Sequence, residues 1–177
     1  MGTLTRMGPL TLEHIAMEAR PYPVKHLKGC KTGLVLFAAA FMGHNDAIHF
    51  AEAGIDTTCV DINGPRLREM AGLYPDGWSF VTEDAWKVAE KARKYGTKWD
   101  AVSVDTFTGD MMERSLDSLD LWCSLARKVV TVTYAMKTDG LGLGIGSFDF
   151  PEEVPAGWKW HLHPRSGAVY WLVLTRD

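Results

Sequence analysis

GLVLFAAAFMGHNDAIHFAEAGIDTTCVDIN, residues Gly33 to Asn63, is the stretch whose reading decides the fold. An apolar run from Leu34 to Met42 meets a glycine and a polar cluster, Gly43, His44, Asn45 and Asp46. It continues as the helical pattern Ala47 to Ala53, stops at Gly54, and resumes as a strand that ends in Asp61. Strand, turn, helix, glycine stop, strand and acid follow one another. Such a unit places a carboxylate beside a helix N-terminus at the carboxyl edge of a parallel sheet, where nucleotides and nucleosides bind.

Outward from that unit the same rhythm repeats. Pro65 falls at the first position of a helix expected over Arg66 to Leu73, and Tyr74-Pro75-Asp76-Gly77 makes a turn. Trp78 to Thr82 alternates as a strand and is followed by Glu83-Asp84. Ala85 to Tyr95 is expected to be a helix, with Val88, Ala89, Ala92 and Tyr95 on one face and Lys87, Lys91 and Lys94 on the other. The basic face reads as a solvated one. Trp99 to Asp105 is a further strand ending in an acid, Asp110 to about Leu125 a helix, and Lys128 to Tyr134 a buried strand rich in β-branched residues. This order argues for a doubly wound α/β domain, a parallel sheet with helices on both faces.

The two ends depart from the rhythm. Upstream, residues 1–32 read as a helix over Thr11 to Arg20, stopped by Pro21, and an extended lead-in. Downstream, residues 139–157 alternate glycine with Leu141, Leu143 and Ile145 and then run into PEEVP, an irregular connection. Trp158 to His163 and Val169 to Thr175 form two strands joined by Pro164 to Ala168, an antiparallel hairpin by their spacing.

Composition sets the outer bounds. A chain of 177 residues, 46% hydrophobic, is expected to form one domain over residues 1–177. A net charge of −3 gives no global reason to favour nucleic acid or an anionic membrane. Cys30, Cys59 and Cys123 form no CxxC pair and no disulfide framework, which fits a reducing compartment. The start has no signal-peptide order, and the longest apolar run is too short to span a bilayer, so a soluble, cytoplasmic protein with no membrane partner is expected.

From Gly33 onward the layout resembles that of class I S-adenosylmethionine-dependent methyltransferases. Their seven-stranded sheet is mostly parallel, with a last strand supplied by a C-terminal antiparallel hairpin. The resemblance implies S-adenosylmethionine as cofactor and assigns residues to it. Asp61, in CVDIN, matches the acid that accepts hydrogen bonds from both ribose hydroxyls, with Ile62 beside it. Asp84, in VTEDAW, matches the acid that contacts the adenine amino group, with Ala85 and Trp86 as its neighbours. Ala38, Ala39 and Gly43 fall in the loop around the methionine part, where the family carries three close glycines and a preceding acid. Here that loop is AAAFMG, with Phe41 in it and the acid missing. Asp105, in VSVDTF, falls where the fourth strand opens beside the methyl donor and substrate. It is the expected catalytic residue, with Tyr134 as the other candidate base.

Other chemistry lacks its motifs. No Asn/Asp-Pro-Pro-Tyr/Phe segment follows the fourth strand and no Pro-Cys nucleophile is present. The six histidines show no HExxH or other metal spacing, and no metal site is expected. Triad hydrolases and P-loop enzymes lack their GxSxG and GxxxxGK[ST]. The expected function is methyl transfer to a small molecule, RNA or protein. Two alternatives stay open: a non-catalytic binding or scaffold protein on the same fold, and an NAD(P)-binding oxidoreductase.

Overall fold

Seven strands hydrogen-bond in the order β3-β2-β1-β4-β5-β7-β6. They are β1 (Thr32–Leu36), β2 (Asp56–Asp61), β3 (Ser79–Thr82), β4 (Trp99–Val104), β5 (Ala126–Ala135), β6 (Lys159–Ser166) and β7 (Val169–Thr175). A computed structural model describes residues 21–39, 43–106, 109–135, 153–166 and 169–176. The first five strands pair in parallel, and β7 runs antiparallel between β5 and β6. Strand β1 lies between β2 and β4, with Val35 opposite Cys59 on one side and Ser103 on the other. The strand order therefore reverses between β1 and β4, and that reversal opens a crevice at their carboxyl ends.

Both faces of the sheet are covered, which is why the central strands read as unbroken apolar runs. Leu34, Leu36, Val102, Val104, Val130 and Val132 face three helices, α3 (Ala85–Lys94), α4 (Gly109–Asp117) and α5 (Leu119–Leu125). Val35, Cys59, Ala101, Val129 and Val173 face α1 (Gly43–Glu52), α2 (Gly64–Ala71) and the lead-in residues Tyr22 and Leu27. The doubly wound sheet with its C-terminal hairpin is the architecture the sequence predicts. All three cysteines are free and buried.

Local chemistry sets the ends of these elements. Asn63 caps α2 by accepting the Arg66 N–H, with Pro65 in the first turn, and Asp84 caps α3 by accepting the Lys87 N–H. Gly54 ends the α1 turn with a φ of +67°, which a glycine adopts without steric cost. Gly33 is required for another reason. A Cβ there would stand 2.4 Å from Cδ1 of Phe50, a fully buried ring on α1. Gly33→Ala is therefore expected to lose about 1–3 kcal/mol, the usual cost of overpacking. Urea denaturation measures it, and an unchanged midpoint would mean that α1 is not seated on β1 as described.

Several boundaries differ from the sequence reading. The end of β1 agrees: the strand stops at Leu36, ahead of the loop expected from Ala38, and Phe37 takes a φ of 60° and turns the chain. Helix α1 begins at Gly43 rather than Ala47. The helix expected over residues 110–125 is two, because the Ser118 hydroxyl bonds back to the Arg114 carbonyl and the chain breaks between α4 and α5. Strand β6 continues through Pro164 and Arg165 with an irregularity in register, where a loop was expected. Pro164 is tolerated there because β6 is an edge strand. The helix expected over Thr11 to Arg20, the glycine alternation of residues 140–147, and Phe41 lie outside the described residues. Among those described, no helix is long and apolar enough to cross a membrane.

Candidate functional site

The carboxyl ends of β1, β2 and β3 are tied together around Asp61. This last residue of β2 is only 7% exposed. The Ala39 N–H donates to its Oδ2 at 3.0 Å and the Asn63 N–H to its Oδ1 at 2.8 Å. The Ala38 N–H donates to the Val60 carbonyl, and the Glu83 N–H to the Asp61 carbonyl. One carboxylate thus fixes the turns after β1 and β2. Each of its oxygens has two lone pairs, so each retains one acceptor site beside the backbone bond it makes among the described residues. That is the equipment needed to hold a vicinal diol.

Around Asp61 the other residues assigned from the sequence take adjacent places. Ile62, the next residue, is 75% exposed, a large apolar side chain in water at the mouth of the crevice. Asp61 stands opposite Thr82 in the sheet, so Asp84 follows two residues beyond the neighbouring strand end. Asp84 is half-buried, and its Oδ1 accepts the Lys87 N–H at 2.9 Å while Oδ2 makes no bond among the described residues. Ala85 is buried and presents backbone only. Gly43 opens α1. The backbone at Phe37 is strained, since a left-handed conformation costs a non-glycine residue roughly 1–2 kcal/mol. Its ring packs edge-on against Trp86, with centroids 4.9 Å apart, and that contact holds the residue in place.

The end of β4 is built differently from expectation. Asp105 does lie just beyond β4, but it is fully buried and its charge is already matched. Arg165 donates to Oδ1 from Nη1 at 2.6 Å and to Oδ2 from Nη2 at 2.8 Å, and the Thr133 hydroxyl adds a bond to Oδ1. The guanidinium also lies 4.2 Å from the centre of the Trp171 ring. Asp105 is thus the anchor that ties the β6–β7 hairpin to the top of β4. A carboxylate held on both oxygens by a guanidinium is poorly placed to take a proton from substrate. Tyr134, the other candidate base, is buried on the opposite face of the sheet, in the core beneath α3, α4 and α5.

A second buried acid stands nearby. Asp46, in the first turn of α1, is fully buried; the Ser103 hydroxyl donates to its Oδ2 at 2.7 Å, and Oδ1 has no partner among the described residues. The Thr131 hydroxyl donates to Ser103, and Tyr22 shares a 2.8 Å hydroxyl bond with Thr131. Two carboxyls and one guanidinium occupy this buried space, and Arg165 is engaged with Asp105. Asp46 has no such guanidinium pairing. Burial, and then repulsion from Asp105, raise its pKa well above the usual carboxylate range, which Arg165 and Ser103 only partly offset. The same burial, with Asp46 nearby, pushes the Cys59 thiol up to about 12.

This has a consequence for stability. The folded pKa of Asp46 lies above the unfolded one, so the folded state binds the extra proton and stability falls as pH rises through that window. Below the ordinary carboxylate pKa both states are protonated and the cost vanishes. Asp46→Asn should match the wild type in acid and be more stable at neutral pH, with a flatter pH dependence of the urea midpoint. A variant less stable than wild type at neutral pH would show that Asp46 is ionised and useful as such.

The sequence reading missed Arg165, Thr133 and the Tyr22–Thr131–Ser103–Asp46 chain. One signal was present: in KVVTVTY, Thr131 and Thr133 share one face of a buried strand, and buried hydroxyls need partners. Two cavities lined by described residues lie away from Asp61. One, of about 340 Å³, is at the opposite end of the sheet beside Gly54 and Asp56, and another, of about 320 Å³, lies between Leu116, Asp120 and Val154.

No family model matches the chain, and no curated protein matches it in sequence. Solved structures match it in fold. TrmN from Thermus thermophilus is 14% identical over 98% of this chain and 51% of its own, with a TM-score of 0.55. A SAM-dependent methyltransferase from Agrobacterium tumefaciens is 18% identical over 72% of this chain and 44% of its own, with a TM-score of 0.50. SMU.776, solved in complex with SAH, is 13% identical over 82% of this chain and 45% of its own, with a TM-score of 0.53. The chain spans about half the length of these structures. Its fold is that of the class I S-adenosylmethionine-dependent methyltransferases.

Proposed function

We propose that this chain is an S-adenosylmethionine-dependent methyltransferase whose cofactor lies across the carboxyl ends of β1, β2 and β3. The observation that carries this reading is the buried Asp61, with an acceptor site left on each oxygen among the described residues, beside the exposed Ile62 at the switch point of this fold. Asp61 takes the ribose diol, Ile62 supports one face of the adenine, and Asp84 with the Ala85 backbone meets the base's polar edge. Ala38, Ala39 and Gly43 border the methionine part. An oxidoreductase is less well supported, because a nicotinamide-binding sheet runs in the order 3-2-1-4-5-6 without an antiparallel strand between the last two.

The bound cofactor supplies a methyl group made electrophilic by its sulfonium. The chain's own residues hold the adenosine, exclude water and orient the acceptor. With Asp105 paired to Arg165, an acceptor that is already nucleophilic, a neutral nitrogen or a thiolate, suits the site best, whether on a small molecule, an RNA or a protein. Calorimetric titration with S-adenosylmethionine, S-adenosylhomocysteine and NAD tests the reading. Binding of the two sulfur ligands and not of NAD supports it. Binding of NAD alone would move the chain to the oxidoreductases, and binding of none at millimolar concentration would leave a scaffold protein.

A further inference from the structure

We propose that His26 and His161 form a two-histidine chelate for a divalent ion of the Cu(II)/Ni(II) type, which staples the lead-in to the edge strand of the sheet. His26 belongs to the one-turn 3-10 helix Val24–Leu27 and His161 to β6. Their Nε2 atoms are 2.9 Å apart. Two metal–nitrogen bonds of about 2.0–2.1 Å meeting at about 90° span about 2.9 Å, the geometry of square-planar or tetragonal Cu(II) and Ni(II). The rings are centred 4.6 Å apart and tilted by 40°. That is closer than two imidazoles joined end to end through a shared proton, so the rings are canted.

Both residues are half-buried, which leaves the remaining coordination positions to water. Among the described residues no three His, Cys, Asp or Glu side chains are grouped as metal ligands, so this pair is what they supply. His163, two residues further along the same face of β6, is not part of it. The lead-in is already docked on the sheet: the Trp171 Nε1–H donates to the Pro21 carbonyl, and the Tyr22 hydroxyl meets Thr131. A metal at His26 and His161 would extend that docking by one strand, to β6. Histidine spacing carried no such signal, because the two ligands are 135 residues apart.

The test uses the whole chain without a histidine tag. Titration with NiCl₂ at neutral pH should show one saturable equivalent and a rise in Tm. His26→Asn and His161→Asn should each remove both effects, and His163→Asn should leave them. A separate measurement needs no variant: the Cu(II) EPR spectrum of the wild-type chain should carry the splitting of two imidazole nitrogens. Nickel binding that survives in both variants, an absence of binding at millimolar nickel, or a spectrum with one nitrogen or none would overturn the proposal and leave the pair as a hydrogen bond.

Discussion

Arg165→Met is expected to lose about 3–5 kcal/mol of stability, the cost of leaving one member of a buried ion pair without its partner. Both side chains are inaccessible to solvent, and the pair is bidentate. Removing the guanidinium strands the Asp105 charge in the core, with Asp46 already competing for the same protection. The double variant Asp105→Asn/Arg165→Met leaves no charge behind and should recover a large part of the loss, because buried pairs are often close to neutral against uncharged replacements. Urea denaturation of the two single variants and the double closes the cycle. A loss below about 1 kcal/mol in Arg165→Met would match an exposed pair and contradict this placement. The pair joins the hairpin to β4 across 60 residues, so its loss should also loosen the hairpin edge.

The second large effect falls on Asp61. Asp61→Ala removes both acceptor sites offered to the ribose, and hydrogen bonds to a charged group contribute about 1.5–3 kcal/mol each. Affinity for S-adenosylhomocysteine should therefore fall by about 100-fold or more. The substitution also frees the Ala39 and Asn63 N–H groups, so part of the loss comes from the turns that Asp61 fixes. Asp61→Asn separates the two contributions. Its amide oxygen still accepts one backbone bond and the side-chain volume is kept, while the charge and one pair of acceptor sites are lost.

How much of this was legible in the sequence depends on range. The strand–helix order, the acids at the strand ends and the C-terminal hairpin were readable, because each is written within a few residues: Asp61 follows Cys59 and Val60 at a strand end, and Gly54 marks a helix end. The left-handed turn at Phe37 was not, since nothing in the apolar run Leu34 to Met42 announces it. The break at Ser118 was hidden for a similar reason, inside a pattern that is helical on both sides. Arg165 read as part of a loop because Pro164 precedes it and Gly167 follows. Its role depends on Asp105, which only the folded sheet brings within 2.6 Å. The strand-end acids Asp61 and Asp84 were thus readable from local pattern. The pairing of Asp105 with Arg165 was not.

The most direct test of the central claim is calorimetric titration of S-adenosylhomocysteine into the wild-type chain and Asp61→Asn, at matched concentrations and with folding checked by circular dichroism. Saturable binding to the wild type, weakened by roughly tenfold or more in the variant through the loss of a charge-assisted bond, is the predicted result. Equal affinity in the two proteins would contradict it, because the ligand would then be held somewhere other than the carboxyl end of β2.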